Sequence, residues 1–256
     1  MKSILLFLVL LMPGATLVLA AQSADEMLAA TDAIRNPGKP FSVTVTLTEF
    51  QAGKQVDTST LTSYSRLQQQ SGQFASLIRF VLPTRDAGKL MLKNGSDMWF
   101  YDPVAKASVR LSPQQRLLGQ ASNGDVATVN LSRDYKAVLA GEEEIKDGES
   151  RLRKVHKLAL TAVAPDVTYA SIEMWVDADN NRPIKARFFA ESSRLLKTAY
   201  YRRYQSQLGT ERPTETVIID GLNPQSVTLM RFTDYVARAI PDTWMQRDFL
   251  PRFQAE

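Results

Sequence analysis

The side chains that usually carry catalysis or hold metals are scarce in this sequence of 256 residues, which has one histidine and no cysteine. Without a thiol there is no cysteine nucleophile, redox pair or thiolate metal site, and no attachment point for a bacterial lipid anchor. The lone His156 lies in Arg151-Leu-Arg-Lys-Val-His-Lys157, on an alternating strand pattern that puts Leu158 and Leu160 on its face. That setting is the one of a core or rim side chain. No Gly-x-Ser-x-Gly turn offers a triad serine, and the flanking cations oppose an imidazolium. Asp177-Ala-Asp179-Asn-Asn181 opens like a calcium loop, but Arg182 stands where the loop needs Gly and Phe188 where it needs a bidentate Glu. It reads as a hairpin turn. Glu142-Glu143-Glu144 reads as a solvated strand start. The expectation is a protein that is not an enzyme, with no catalytic residues, metal or cofactor.

Charge points the same way. Lys and Arg number 31 against 27 Asp and Glu, a formal net charge of +4, too weak to argue for nucleic acid. Tyr200-Tyr201-Arg202-Arg203-Tyr204 interleaves aromatics with cations, but on a strand these side chains alternate between two faces, so no stacking platform follows. Anionic lipid headgroups suit the excess cations better.

The elements that must position any site begin after a leader. Met1 and Lys2, an apolar run from Ile4 to Met12, the Pro13-Gly14 break and the small residues at Ala20-Ala21 form a signal-peptide pattern over residues 1–20. An uncleaved anchor is the alternative. Cleavage leaves one domain over 21–256, exported without cysteine and hence expected in a bacterial periplasm, not lipidated. Ser23-Ala-Asp-Glu26 is a capping box that starts a helix, which Asn36-Pro37-Gly38 ends. From Phe41 the hydrophobic period changes to two. Strands are expected at Phe41 onward, Val56 to Gln70, Phe74 to Leu82, Lys89 to Lys93 and Asp97 to Asp102. After Gly141 they follow at Val155 to Val163, Tyr169 to Val176, Pro183 to Ala190, Leu195 to Tyr204, Thr214 to Ile219 and Val227 to Tyr235. Asn94-Gly95 is the strongest hairpin signal, and short helices are expected at Gln114 to Leu118 and Ser132 to Leu139. The fold class is mainly β (α+β), about 10–11 strands in a single antiparallel sheet with three or four short helices. With so little helical mass, the sheet must curl over itself around a cavity or be filled by inserted helices.

Leu90-Met-Leu-Lys-Asn-Gly-Ser-Asp-Met-Trp-Phe-Tyr-Asp-Pro103, a hairpin running into Met98-Trp99-Phe100-Tyr101-Asp102-Pro103, resembles the signature hairpin of the LolA/LolB-like lipoprotein-carrier superfamily. The hairpin Ile172 to Phe189, with Asp177 at its turn and Pro183 opening the return strand, is similar to that family too. Longer members, described as outer-membrane lipoprotein-sorting proteins, match best, with Ser112 to Tyr135 as their mid-chain insertion. The resemblance implies an unclosed half-barrel, short helices as a lid over an apolar cavity for acyl chains, and no catalytic residues. It further implies a soluble, monomeric periplasmic carrier of lipid or lipoprotein acyl chains, with an inner-membrane transporter as partner. One departure stands out: where the family's latch arginine belongs, this chain reads Gln68-Gln-Gln-Ser-Gly72.

An apolar cavity of this kind is expected to be lined by Phe80 and Leu82, Leu90 and Leu92, Met98 and Phe100, Ile172, Met174 and Val176, and Ile184 and Phe188. Met27, Leu28, Leu117 and Leu118 are the expected lid. Met91 is assigned to the opposite face of its strand, and Trp99 and Tyr101 point away from Phe100. The rival readings are a ligand-free interaction module, or accessory subunit of an envelope lipid transporter, whose own side chains fill the half-barrel, and a lipid or glycan hydrolase.

Overall fold

The computed structural model describes residues 22–164 and 166–254; the leader expected over 1–20 lies outside the described residues. The capping box forms as its residue types require. Ser23 accepts from the Glu26 amide while the Glu26 carboxylate accepts from the Ser23 amide at 2.8 Å, and helix α1 (Ala24–Arg35) follows.

Strands β1 (Phe41–Gln51), β2 (Lys54–Leu67), β3 (Phe74–Leu82), β4 (Leu90–Asn94), β5 (Asp97–Asp102) and β6 (Ala107–Arg110) form one antiparallel meander. A second meander contains β9 (Tyr135–Lys146), β10 (Leu152–Ala162), β11 (Ser171–Asp177), β12 (Pro183–Phe189), β13 (Leu195–Gln207), β14 (Thr210–Asp220) and β15 (Ser226–Ala237). Between them, residues 111–134 hold the small hairpin β7 (Arg116–Leu118) and β8 (Ala121–Ser122) and the one-turn helix α2 (Leu131–Asp134). The two meanders are joined at the sheet's centre, where β1 pairs with β15, into a single thirteen-stranded antiparallel sheet that is not closed into a barrel. Its two edges, β6 and β9, are therefore successive strands of this sheet in chain order, and residues 111–134 must pass from one edge to the other. This crossover covers the inner face together with α1.

The sequence pattern finds eleven of these thirteen strands. The additional two are β6 and β9. Helix expected over Ser132 to Leu139 is confined to Leu131–Asp134, after which the chain enters β9; Gln114 to Leu118 is not helical and ends in β7. Both segments are set by tertiary pairing, β9 along β10 and β7 on β8, which outweighs local propensity. The β4–β5 turn is centred one residue later than Asn94-Gly95. Asn94 pairs with Asp97, so Gly95 and Ser96 are the two central residues, and Gly95 adopts φ +58°.

The sheet is apolar on both sides over part of its extent. On the inner face Phe41, Val43, Val45, Leu47, Leu61, Phe74, Ile78, Met91 and Met98 pack with the buried faces of β10–β15 and with Met27 and Leu28 of α1. On the outer face of β2–β5, Tyr64, Leu77, Leu90, Leu92 and Tyr101 are covered by the C-terminal segment through Ile240, Trp244, Met245 and Leu250. That segment forms two 3-10 turns, Asp242–Met245 and Arg247–Arg252, and is pinned by Asn94 donating to the Met245 carbonyl at 2.8 Å and Arg66 donating to the Ile240 carbonyl at 2.9 Å.

Candidate functional site: a cavity beneath the crossover

Between the central strands and the crossover lies a cavity of about 420 Å³. Its wall is the inner face of four adjacent strands: Phe41, Val43 and Val45 from β1, Met230, Phe232 and Tyr235 from β15, Thr216 and Ile218 from β14, and Lys197, Ala199 and Tyr201 from β13. Alternation produces most of this wall, since every second residue of a strand shares a face, and a bulge at Asp234, φ +53°, brings Tyr235 to it against the parity of Met230 and Phe232. Its roof is crossover residues 124–129 with Leu131, and loop residues Val167, Thr168 and Tyr169 close one side. Lys93, Gly95 and Ser96 of the β4–β5 turn, with Gln68, Ser71 and Gln73, form a polar rim at another.

Polar contacts hold the roof at two ends and, between them, at Thr128, whose hydroxyl bonds that of Ser65 at 2.7 Å and whose amide donates to the Ser76 hydroxyl at 3.2 Å. At the first, Asn36 at the end of α1 donates to the Val129 carbonyl and the Asn130 side chain, each at 2.8 Å, and buried Asp32 accepts from the Ser132 amide at 2.8 Å. Burial pushes the Asp32 carboxyl up against the opposing effect of Arg35. Gln73 accepts from the Asn130 amide at 2.7 Å and donates to its carbonyl at 3.0 Å, while Asn130 donates to the Gly72 carbonyl. Residues 68–72 lack an arginine, yet their end clasps the crossover through backbone and amide groups. Gly72, at φ +67°, sits where a Cβ would lie 2.6 Å from Arg133 Nε.

At the second end the anchor is ionic. Lys197, 3% exposed on the sheet, forms an ion pair with Asp125 on the crossover and donates to the Gln120 carbonyl at 2.9 Å. The Asp125 carboxylate also accepts from the Tyr169 hydroxyl at 2.6 Å and the Ser122 amide at 2.7 Å. Tyr135 donates to the Tyr169 carbonyl at 2.8 Å. The Lys197 ammonium lies 4.9 Å from the Tyr169 ring centre and 5.7 Å from that of Phe188. Burial lowers the lysine's pKa against the pull of Asp125, and burial together with Asp125 raises the Tyr169 phenol well above its usual value. Gly124, next to Asp125, is pressed so closely to the loop that a Cβ would meet Thr168 Oγ1 at 2.0 Å.

Of the residues expected to line a cavity, Phe188 alone does so. Phe80, Met98, Ile172, Met174 and Val176 are on the expected inner face but are packed into the core, and Phe100 packs against it. The structure corrects four others. Leu90 and Leu92 point outward under the C-terminal segment, and Met91 points inward. Directly opposed residues share a face, and Leu90 pairs with Tyr101 and Leu92 with Trp99; three consecutive apolar residues leave no alternation from which to read this. Ile184 packs outside with Val155 and Trp175, because a register shift places Val176 opposite Pro183 and turns Ile184 over. Leu82 is 52% exposed, paired with Thr60 on the far side of the register shift at Thr60/Leu61, at the end of β3. The expected lid residues Met27 and Leu28 are buried against the inner core, and Leu117 and Leu118 pack on it from β7 rather than from a helix. His156 is half-buried, 3.4 Å from the Glu142 carboxylate at the β9 edge.

The residues that sequence reasoning missed are Lys197, Asp125, Tyr169 and Tyr135. A signal existed for one of them: Lys197 shares the parity of Ala199 and Tyr201, so a cation stands on an apolar strand face. Its partner, 72 positions earlier in an irregular segment, had none.

A family model described as that of an uncharacterized protein matches residues 72–252, and no curated protein matches the sequence. Among solved structures, the chain is similar to a LolA superfamily protein from Nitrosomonas europaea, at 32% identity over 90% of this chain and 100% of that one, with a TM-score of 0.80. It shares its fold with a DUF1329 family protein from Desulfovibrio piger, at 20% identity, 89% and 97% coverage and a TM-score of 0.74. The same holds for an outer-membrane lipoprotein-sorting protein domain from Vibrio parahaemolyticus, at 18% identity, 90% and 98% coverage and a TM-score of 0.72.

Proposed function

The chain belongs to the LolA superfamily, and from that premise we propose that it is a non-enzymatic periplasmic carrier that holds an acyl chain of a lipid or lipoprotein beneath the crossover. In this reading residues 1–20 are a cleaved export signal, residues 21–256 form one unlipidated, monomeric carrier domain, and the cargo moves towards the outer membrane from an inner-membrane transporter. The observation that carries the reading is the cavity itself. It is walled by Val43, Val45, Ile218, Met230 and Phe232, side chains that offer an acyl chain contact without polar specificity. Each methylene removed from water contributes about 0.8 kcal/mol. A cavity of about 420 Å³ is of the size that small-molecule and acyl ligands occupy.

In this reading loading and release move the roof, since the crossover covers the cavity while the sheet behind it is continuous. The hydrogen bonds of Asn36, Gln73 and Asn130 and the Lys197–Asp125 pair are the contacts that movement must break. The test is to purify the mature protein from a bacterial periplasm, extract it for lipid mass spectrometry, and titrate the delipidated protein with a fluorescent fatty acid. Stoichiometric lipid or saturable binding at one site per chain supports a carrier. No co-purifying lipid and no binding overturn it in favour of an interaction module.

A further inference from the structure

The interior of the cavity is not uniformly apolar: it contains a carboxylate-binding constellation, and a carboxylate already occupies it. The Asp125 side chain receives the Lys197 ammonium, the Tyr169 hydroxyl at 2.6 Å and the Ser122 amide at 2.7 Å. Two of these donors belong to the sheet side, Lys197 on β13 and Tyr169 just before β11, whereas Asp125 belongs to the crossover roof. Resting on the carrier reading, we propose that Lys197 and Tyr169 form the headgroup site for a single-chain fatty acid, and that Asp125 is an internal stand-in which the ligand's carboxylate displaces.

Three observations support this. First, Lys197 cannot be left alone when the roof lifts. It is buried beside Phe188 and Ala199 in the cavity wall, and an unpaired ammonium in such a setting is strongly disfavoured. An incoming carboxylate restores the charge balance that departing Asp125 removes, so the exchange conserves the number of buried ion pairs. Second, the geometry suits a carboxylate in particular. Asp125 uses one oxygen for the phenol and the other for the ammonium and the amide, which is the two-oxygen pattern any carboxylate presents. Third, the remaining space suits what such a ligand trails behind it. From Lys197 the wall runs along Ala199, Ile218, Met230, Val45 and Val43 to Phe41, a path for one chain. No bond is made or broken; the exchange is one carboxylate for another.

The experiment compares tetradecanoic acid with tetradecanol, which differ at the headgroup alone, by displacement of a neutral fluorescent probe from the delipidated protein. The wild type is expected to bind the acid about tenfold more tightly than the alcohol, the scale of a charge-assisted hydrogen-bond set. Asp125→Asn, which weakens the internal competitor, is expected to tighten acid binding by about tenfold and leave alcohol binding where it was. Lys197→Met is expected to bring the acid down to the affinity of the alcohol. The double variant Lys197→Met with Asp125→Asn, which buries no charge at the pair, repeats that comparison if the single variant does not fold. Equal binding of acid and alcohol by the wild type overturns the headgroup site while the carrier reading stands. A preference for acid that survives loss of Lys197 also overturns it, by assigning the carboxylate to the rim cations. Binding of neither compound sinks the carrier reading and this inference with it.

Discussion

Around β2–β5 the sheet is apolar on both faces and both are filled, whereas across β1 and β13–β15 the inner face keeps a cavity and the outer face carries a half-buried row of Phe50, Val217, Ile219, Val227 and Leu229 beside polar and charged side chains. The difference lies in what the chain supplies as cover. Outside β2–β5 it supplies a dense aromatic segment: Trp244 packs edge-on against Tyr64 at 5.4 Å and against Phe253 at 4.8 Å, and Arg247 lies 4.2 Å over Trp99. Inside β1 and β13–β15 it supplies a crossover of Gly124, Val126, Ala127, Thr128 and Val129, small or β-branched side chains that pack on the sheet in part and leave a space beside them. The roof is held by polar contacts at its two ends and, between them, by Thr128 on Ser65 and Ser76, and it spans the space without filling it. One region is therefore built for stability and the other for occupancy. The outer face behind the cavity is different again, with Thr44, Thr46 and Thr48 on β1 and a charge cluster on β13–β15.

The largest expected effect is on the filled side. Trp244→Ala removes the centre of the aromatic cover and is expected to cost about 3–5 kcal/mol of unfolding free energy, measured by urea denaturation, with acyl affinity unchanged in the folded fraction. Loss of acyl affinity in folded Trp244→Ala protein breaks the division between the two regions. Next is the occupied side, where the expected pattern is reversed. Ala199→Phe places a ring from the wall into the cavity, and is expected to weaken fatty-acid binding about thirtyfold while changing stability by less than about 1 kcal/mol. If Ala199→Phe binds as the wild type does, the cavity beneath the crossover is not where the chain lies.

The same contrast explains what was legible in the sequence. Strict alternation exposes a strand that is apolar on one side, so Val43, Val45 and Leu47 on β1 and Ile172, Met174 and Val176 on β11 are placed on their true face by pattern alone. Alternation vanishes where both faces are buried, and Leu90-Met91-Leu92 was inverted for that reason. A bulge defeats it in another way: Ile184 has the parity of Ala186 and Phe188 but the opposite face, because one extra residue intervenes. The cavity's location was not readable at all. It depends on which inner-face residues the crossover and α1 touch, and those contacts join residues such as Asn36 and Asn130, or Asp125 and Lys197, that are far apart in the chain. The resemblance carried by residues 90–103 identified the fold family, but not the site, since in the structure that hairpin contributes only rim residues to the cavity.

The smallest effect concerns the outer face behind the cavity, where a charge cluster lies beside half-buried Tyr200, Val217 and Leu229. Glu215 is fully buried there and faces three guanidiniums, with Arg231 at 2.9 Å, Arg203 at 3.1 Å and Arg202 also bonded. Burial alone raises a carboxyl's pKa, but here the hydrogen bonds of Arg231 and Arg202 and the charge of Arg202 and Arg203 outweigh it and hold Glu215 below its ordinary value. A carboxyl depressed on folding binds its proton more readily in the unfolded chain, so its contribution is complete above the unfolded value near 4.3 and is lost as the pH falls through the folded one. Glu215→Gln keeps the shape and removes the charge. In urea titrations it is expected to be less stable than the wild type by about 1 kcal/mol at pH 7, with the gap closing below about pH 4 as the wild-type carboxyl protonates. A gap that persists unchanged to pH 3 means that the cluster contributes through packing and not through charge. The outer face of β13–β15 then works by the same means as the aromatic cover of β2–β5, and the contrast between the two regions narrows to the cavity itself.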